Sequence, residues 1–211
     1  GRVILESVLR LMTPDDTWVI CGKGPSLDVA ALTKPPPTVR LLGIGSVGSV
    51  LPTSLNLFND VEAMLKHPHG NICMPWRPNI KFRPGLTLPE LVAKYPAFAS
   101  AAQDGRLYGY RRAETDNTGA PADWPEVSCV YFSGEAAVGI CLAAGIRPIF
   151  TSGIDGGTQY HPVFDTSVRL NNGQTTFTKS TPRIVRMCMK ARTAWIRGLP
   201  LAFNQCPAPC G

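Results

Sequence analysis

The chain is short of the residues that usually announce a particular chemistry. Charged side chains fill only 17% of its 211 positions, aromatics 8%, and there are three histidines. The hydrophobic share is nevertheless 44%, so low charge here goes with a globular chain and a sizeable core, not with disorder. No run of about 18 apolar residues occurs, which predicts no membrane-spanning helix. The opening residues lack a signal-peptide pattern, since Glu6 and Arg10 break the apolar stretch, and the expected location is the cytoplasm. There is no nucleophile elbow and no Walker loop, and Gly22-Lys23-Gly24 lacks the third glycine of a dinucleotide fingerprint. No internal repeat is present.

Acidic residues are also scarce. There are 15 against 21 basic ones, a net charge of +6, which favours an anionic partner without naming it. On charge a nucleotide, a nucleic acid and an acidic membrane surface all qualify; of these, nucleic acid is the least expected. The seven cysteines are odd in number and scattered, a pattern of reduced thiols rather than of a disulfide framework. Cys21, Cys73 and Cys141 lie in apolar runs and read as core residues. Cys206 and Cys210 flank Pro207-Ala208-Pro209, a weak zinc spacing or a late disulfide. His67 and His69 fall at a helix end and make a poor metal pair, so no metal site is expected.

What is present is an alternation of short apolar runs with helical segments. Residues 1–12 read as an amphipathic helix. Strands are expected at Thr17–Cys21, Val39–Ile44, Ser54–Phe58, Asn71–Met74, Arg147–Ser152 and Leu199–Phe203. Helices are expected from Ser26 to Leu32, from Val61 to His67, within 86–102, from Ser133 to Ala144 and from Thr181 to Arg197. Such an order predicts a single Rossmann-like α/β domain over 1–211, a mostly parallel twisted sheet flanked by helices. A less regular insertion falls around 75–130. Within it, Trp76, Arg77, Lys81, Phe82 and Arg83 form a basic-aromatic segment that reads first as a solvated excursion and second as a contact for a nucleic acid backbone or an acidic acceptor. Ala113–Glu126 reads as a polar loop near the site or as a disordered stretch.

In an open parallel sheet, ligands bind outside the carboxyl ends of the strands. Three strand ends carry polar or glycine-rich segments: Gly22-Lys23-Gly24-Pro25-Ser26, Asn59-Asp60, and Ser152-Gly153-Ile154-Asp155. Glycines let a backbone approach a phosphate closely, and a following helix start offers N–H groups to it. Asn59 suits a base, a ribose or a phosphate. Asp155 suits a ribose hydroxyl, a metal, a proton or the bracing of its own loop. Tyr160 and His161 follow within a few residues and could move protons at a reacting hydroxyl or a leaving phosphate.

The blocks Gly22-x-Gly24-Pro25-Ser26-Leu27, Ser133-Gly134 at a helix start, Leu142-Ala143-Ala144-Gly145 and Ile149-Phe150-Thr151-Ser152-Gly153-Ile154-Asp155 resemble bacterial sialyltransferases of the Campylobacter type. They are also similar to the motility-associated nonulosonate transferases and to archaeal hydroxymethylpterin diphosphokinase-like proteins, and the closing Cys206-Pro207 fits. The resemblance implies a glycosyltransferase that moves a nonulosonic acid such as sialic acid from a CMP-activated donor to a glycan acceptor, with no obligatory cofactor. It implies that Gly22, Gly24, Pro25 and Ser26 line the phosphate and ribose, with Lys23 or Lys179 near the departing phosphate. Asn59, Ser133, Gly134, Ser152, Gly153 and Asp155 would complete the nucleotide pocket, and Tyr160 would assist the leaving group. Those sialyltransferases carry a histidine base before the last long helix, where this chain has Phe177-Thr178-Lys179-Ser180-Thr181. The base then falls to His161, Asp155 or Asp165. The alternatives are an ATP- and Mg²⁺-dependent pyrophosphokinase-like enzyme with Asp60 and Asp155 as metal ligands, and a non-catalytic nucleotide- or glycan-binding module using the Trp76–Arg83 segment and the basic helix Thr181–Arg197.

Overall fold

Thr17–Cys21 is apolar on both faces, and it forms an interior strand of the sheet. The structure, a computed structural model, describes residues 5–81, 85–157, 159–164 and 173–199, with side chains from 178 in the last stretch. In chain order the strands are β1 (Glu6–Ser7), β2 (Thr17–Cys21), β3 (Val39–Ile44), β4 (Leu55–Leu57), β5 (Ile72–Pro75), β6 (Leu107–Arg112), β7 (Glu126–Val127), β8 (Ile149–Ser152) and β9 (Trp195–Arg197). The helices are α1 (Val29–Leu32), α2 (Val61–Lys66), α3 (Leu88–Lys94), α4 (Pro96–Gln103), α5 (Ser133–Ala143) and α6 (Gly173–Lys190). The sheet runs β1-β6-β5-β4-β3-β2-β8-β9, with β7 added to β6. Every strand pairing among the described residues is parallel. This is the mostly parallel α/β sheet flanked by helices that the alternation of runs predicts.

Side chains alternate across β2 as the pleat requires. Trp18 and Ile20 enter a core with Leu42, Leu57, Ala136, Ile140 and Ile184, under α5 and α6. Val19 and Cys21 enter the opposite core with Leu27, Leu32, Leu41 and Val47. Both faces are therefore covered, as a parallel sheet needs. A third cluster joins Phe58, Met64, Ile72, Leu91, Phe98 and Trp124 under α2, α3 and α4.

Four expectations need correction. Glu6–Ser7 is a strand beside β6, and Val8–Arg10 is a single 3-10 turn begun by Ser7, whose hydroxyl accepts from Leu9 N. The helix expected over 1–12 shares its apolar spacing with a strand that an open sheet edge can capture; residues 1–4 lie outside the description. The helix within 86–102 is two helices, because Pro96 has no N–H to continue the ladder and disfavours helical backbone at Tyr95. The last helix starts earlier than Thr181 and stops at Lys190; Trp195–Arg197 pairs with β8 instead. The helix after the first loop is one turn only, and Asp28, not Ser26, caps it by accepting from Ala31 N at 3.0 Å. From residue 200 on, the expected last strand and Cys206 and Cys210 lie outside the described residues, as does Asp165.

The described part of the 75–130 region carries α3, α4, β6 and β7. Trp76 is 7% exposed, its Nε1 donates to Thr118 O at 3.1 Å, and Arg77 pairs with Asp116. Trp76 and Arg77 are thus spent on packing their own loop; Phe82 and Arg83 lie outside the described residues. The stretch Ala113–Glu126 closes over β6 through Trp124, whose ring occupies the space a side chain at Gly109 would fill.

Candidate functional site

The carboxyl ends of β2 and β8 are adjacent, because Cys21 pairs with Ser152. The turns beyond them continue that pairing. Gly22 N donates to Ser152 O at 2.8 Å, and Gly24 N donates to Gly153 O at 2.8 Å. Ser26 N donates to Asp155 Oδ2 at 3.0 Å, and the Ser26 hydroxyl donates to Asp155 Oδ1. Asp28 N donates to Ser152 Oγ at 3.1 Å, and Gly153 N donates to Ser26 Oγ at 3.2 Å. A Cβ on Gly24 would sit 2.8 Å from Gly153 O and run into the Asp155 carboxylate. Gly153 itself turns at φ +72°, a conformation that favours glycine.

These glycines therefore serve the close approach of one turn to another. The amides of Gly22, Gly24 and Ser26, expected to cradle a phosphate, donate to protein oxygens. Asp155 accepts on both carboxylate oxygens and braces the loop. Ser152 accepts from Asp28 N and donates to Ser26 O.

Two cavities meet at Lys23. The smaller, about 30 Å³, is lined by Lys23, Gly24, Gly153, Asp155, Tyr160 and Ser180. The larger is about 390 Å³ and opens over the ends of β3, β4 and β6. Lys23, Asn59, Asp60, Arg112, Ser133 and Tyr160 are among the residues that line it. Its size falls within the range of pockets for small organic ligands. Gly22, Pro25, Ser26, Gly134, Ser152 and His161 line neither cavity. His161 is held from two sides: its N donates to Lys23 O at 2.6 Å, and its Nδ1 accepts from Val163 N at 3.2 Å.

The charges of the large cavity are uneven. The Lys23 ammonium lies 4.3 Å from the centre of the Tyr160 ring, and burial pushes its pKa down. Arg112, at the end of β6, donates to Asn79 Oδ1 at 2.9 Å and Cys129 O at 3.2 Å, and its Nε is buried without a partner. Neither cation has an ion-pair partner among the described residues. Asp60 is the carboxylate among the lining residues, and it accepts from Asn79 Nδ2 at 3.1 Å. Tyr160 is half-buried, and burial raises its phenol pKa, so the phenol keeps its proton at neutral pH.

Asn59 is 6% exposed and fully engaged. Its Nδ2 donates to Ser133 Oγ at 3.0 Å and to Cys129 Sγ at 3.1 Å, and its Oδ1 accepts from the Tyr110 hydroxyl. Ser133 is the first residue of α5, 74 positions along the chain from Asn59. Tyr110, Arg112 and Cys129 were not among the residues singled out from the sequence. The signal for the first two is a turn at Asp104-Gly105 followed by Leu107 and the alternating pair Tyr108 and Tyr110; the charges at Arg111 and Arg112 and the central Gly109 mask it. Asp60 and Asp155, the expected metal ligands of the ATP reading, line different cavities, and no cluster of three His, Cys, Asp or Glu side chains suited to a metal occurs among the described residues.

No family model and no curated protein matches the sequence. Among solved structures, the chain is similar to the sialyltransferase CstII from Campylobacter jejuni, solved in complex with a substrate analogue, CMP-3FNeuAc. The similarity covers 86% of this chain and 80% of that one, at 12% identity and a TM-score of 0.43. A likeness this distant says nothing of activity.

Proposed function

We propose that the protein is a glycosyltransferase that takes a CMP-activated acidic sugar in the large cavity and passes the sugar, a nonulosonic acid such as sialic acid, to a glycan hydroxyl. The observation that carries the proposal is the pair Lys23 and Arg112, two cations that form no ion pair among the described residues, lining one cleft of about 390 Å³. Partly desolvated cations attract anions far more strongly than exposed ones do. A nucleotide-activated acidic sugar brings a phosphate and a carboxylate to such a cleft. The motif blocks that resemble bacterial sialyltransferases supply the choice of CMP over other nucleotides.

In the reaction, the acceptor hydroxyl oxygen forms a bond to the anomeric carbon while the bond from that carbon to the phosphate oxygen breaks. The leaving CMP carries away the bonding electrons. Lys23 and Arg112 stabilise the charge that grows on the phosphate, and the protonated Tyr160 phenol donates to the leaving oxygen. The acceptor's proton goes to a base, for which Asp60 is the carboxylate that lines the cleft. His161 and Asp155 give way in this role, one held outside the cavities and the other accepting from Ser26 on both oxygens.

The test is titration calorimetry with CMP on the wild type, Lys23→Ala and Arg112→Ala, with CMP release from CMP-sialic acid as the activity readout. Binding of CMP in preference to AMP is expected, weakened about tenfold or more in each variant, the loss expected for one hydrogen bond to a charged group. A wild type that shows no heat with CMP, or that binds AMP as well, refutes the proposal.

A further inference from the structure

Tyr110 lines neither cavity, yet it governs the direction in which a hydroxyl of the cleft points. Its side chain is 0% exposed, and its phenol donates to Asn59 Oδ1. A buried O–H needs an acceptor, and this carbonyl oxygen is the one it has among the described residues. The amide of Asn59 is thereby oriented. Reversing it would turn two N–H groups toward the phenol and leave the phenolic proton buried without an acceptor, a costly arrangement.

With Oδ1 committed to Tyr110, Nδ2 faces the other way. One of its protons goes to Ser133 Oγ at 3.0 Å and the other to Cys129 Sγ at 3.1 Å. The thiol of Cys129 donates onward to Phe132 O at 3.4 Å, so it too is fixed as an acceptor toward Asn59. Ser133 thus receives a hydrogen bond from the protein, and its own proton is directed away from Asn59. Ser133 is half-buried and lines the large cavity.

We propose that Tyr110 and Asn59 are positioning residues: through a one-way chain from phenol to amide to hydroxyl, they make Ser133 an obligatory donor to an acceptor oxygen of the nucleotide. The proposal rests on the reading of the cleft as a CMP site. It assigns Asn59, which the sequence offered as a direct ligand contact, to the support of one.

The experiment is a double-mutant cycle on CMP affinity, with Tyr110→Phe and Ser133→Ala made singly and together and each protein checked by thermal melting. Ser133→Ala is expected to weaken CMP about tenfold. Tyr110→Phe is expected to weaken it about threefold in the wild-type background and to have almost no effect once Ser133 is alanine, because coupled residues are not additive. A merely structural role for Tyr110 would weaken CMP equally in both backgrounds, and that result overturns the proposal, as does no weakening at all. Asn59→Asp covers the case in which Tyr110→Phe fails to fold. It keeps the shape and the bond to Tyr110 but turns an acceptor toward Ser133, which then donates inward. Adding Ser133→Ala to it is expected to cost no further affinity, and a further tenfold loss refutes the chain. A wild type that ignores CMP sinks the cleft reading and this one with it; an additive cycle in a protein that binds CMP sinks this one alone.

Discussion

Asp155→Ala separates a bracing carboxylate from a catalytic one. The native side chain accepts from Ser26 N at 3.0 Å and from the Ser26 hydroxyl. Hydrogen bonds to charged groups contribute about 1.5–3 kcal/mol each when intact. Ser26 is exposed, so water replaces part of what is lost, and a total of about 2 kcal/mol is expected. For a chain of this length each kcal/mol moves Tm by about 2–4 °C, so the midpoint should fall by about 4–8 °C. Ser26→Ala keeps the amide bond to Asp155 but removes two bonds of the hydroxyl, the one it donates to Asp155 and the one it accepts from Gly153 N, and should fall by a similar amount. The two changes together should cost less than their sum, because they share an interaction. The assay is calorimetric melting beside CMP release from CMP-sialic acid at saturating donor, where Asp155→Ala should retain measurable turnover. A variant with an unchanged Tm and no turnover would refute the reasoning and return Asp155 to the chemistry.

The Glu135–Arg183 pair offers a second test. The Glu135 side chain is 0% exposed, its Oε2 accepts from Arg183 Nε and Val130 N, both at 2.9 Å, and its Oε1 has no partner. Arg183→Ala strands a buried carboxylate and should cost about 3 kcal/mol, whereas Glu135→Gln combined with Arg183→Met should recover most of it; denaturant unfolding measures both, and equal losses would contradict the account. Glu114 gives a pH test: partial burial pushes its carboxyl up, but hydrogen bonds from the Ser128 hydroxyl and Cys129 N outweigh that and hold it below its ordinary 4.5. A lowered folded value means that Glu114 contributes fully above its unfolded value and loses the contribution as pH falls through the folded one. The stability gap between wild type and Glu114→Gln should therefore be constant above about pH 5 and shrink on acidification. Urea unfolding across that range checks it, and a gap that widens in acid would show the sign to be wrong.

The strands around the site were legible because each is a short apolar run closed by glycine, proline or a polar pair. Val39–Ile44 and Thr17–Cys21 form where the runs place them. The convergence of the first loop, Asn59 and the Ser152–Asp155 turn at one end of the sheet was legible too, since parallel strands put all their carboxyl ends on one edge. β6 was not legible, because its strand signal comes from two tyrosines around a glycine and ends in two arginines. The segment 1–12 was misread because a few apolar residues at mixed spacing suit a helix and a strand alike. A neighbouring edge decided between them, and no local window contains that edge.

What sequence could not convey is how each polar group is used. A glycine-rich loop after a strand reads the same whether its amides face a phosphate or a second turn. Here β8 lies directly beside β2, so the Gly153 carbonyl and the Asp155 carboxylate reach the loop and take its amides. Of that loop, Lys23 and Gly24 reach the cavities, and Lys23 adds a charge that the fold does not neutralise within the described residues. On the proposed reading, recognition falls to Arg112 at the end of β6 and to Ser133 at the start of α5, which line the same cavity, with Asn59, just beyond β4, bonded to Ser133. The proposal thus separates two roles that the motif combined. The first turn is tied to the turn after β8, while the proposed ligand would be met by side chains from strands and a helix far apart in sequence. A substitution in the tied turns should register first in stability, and one in the facing side chains first in affinity.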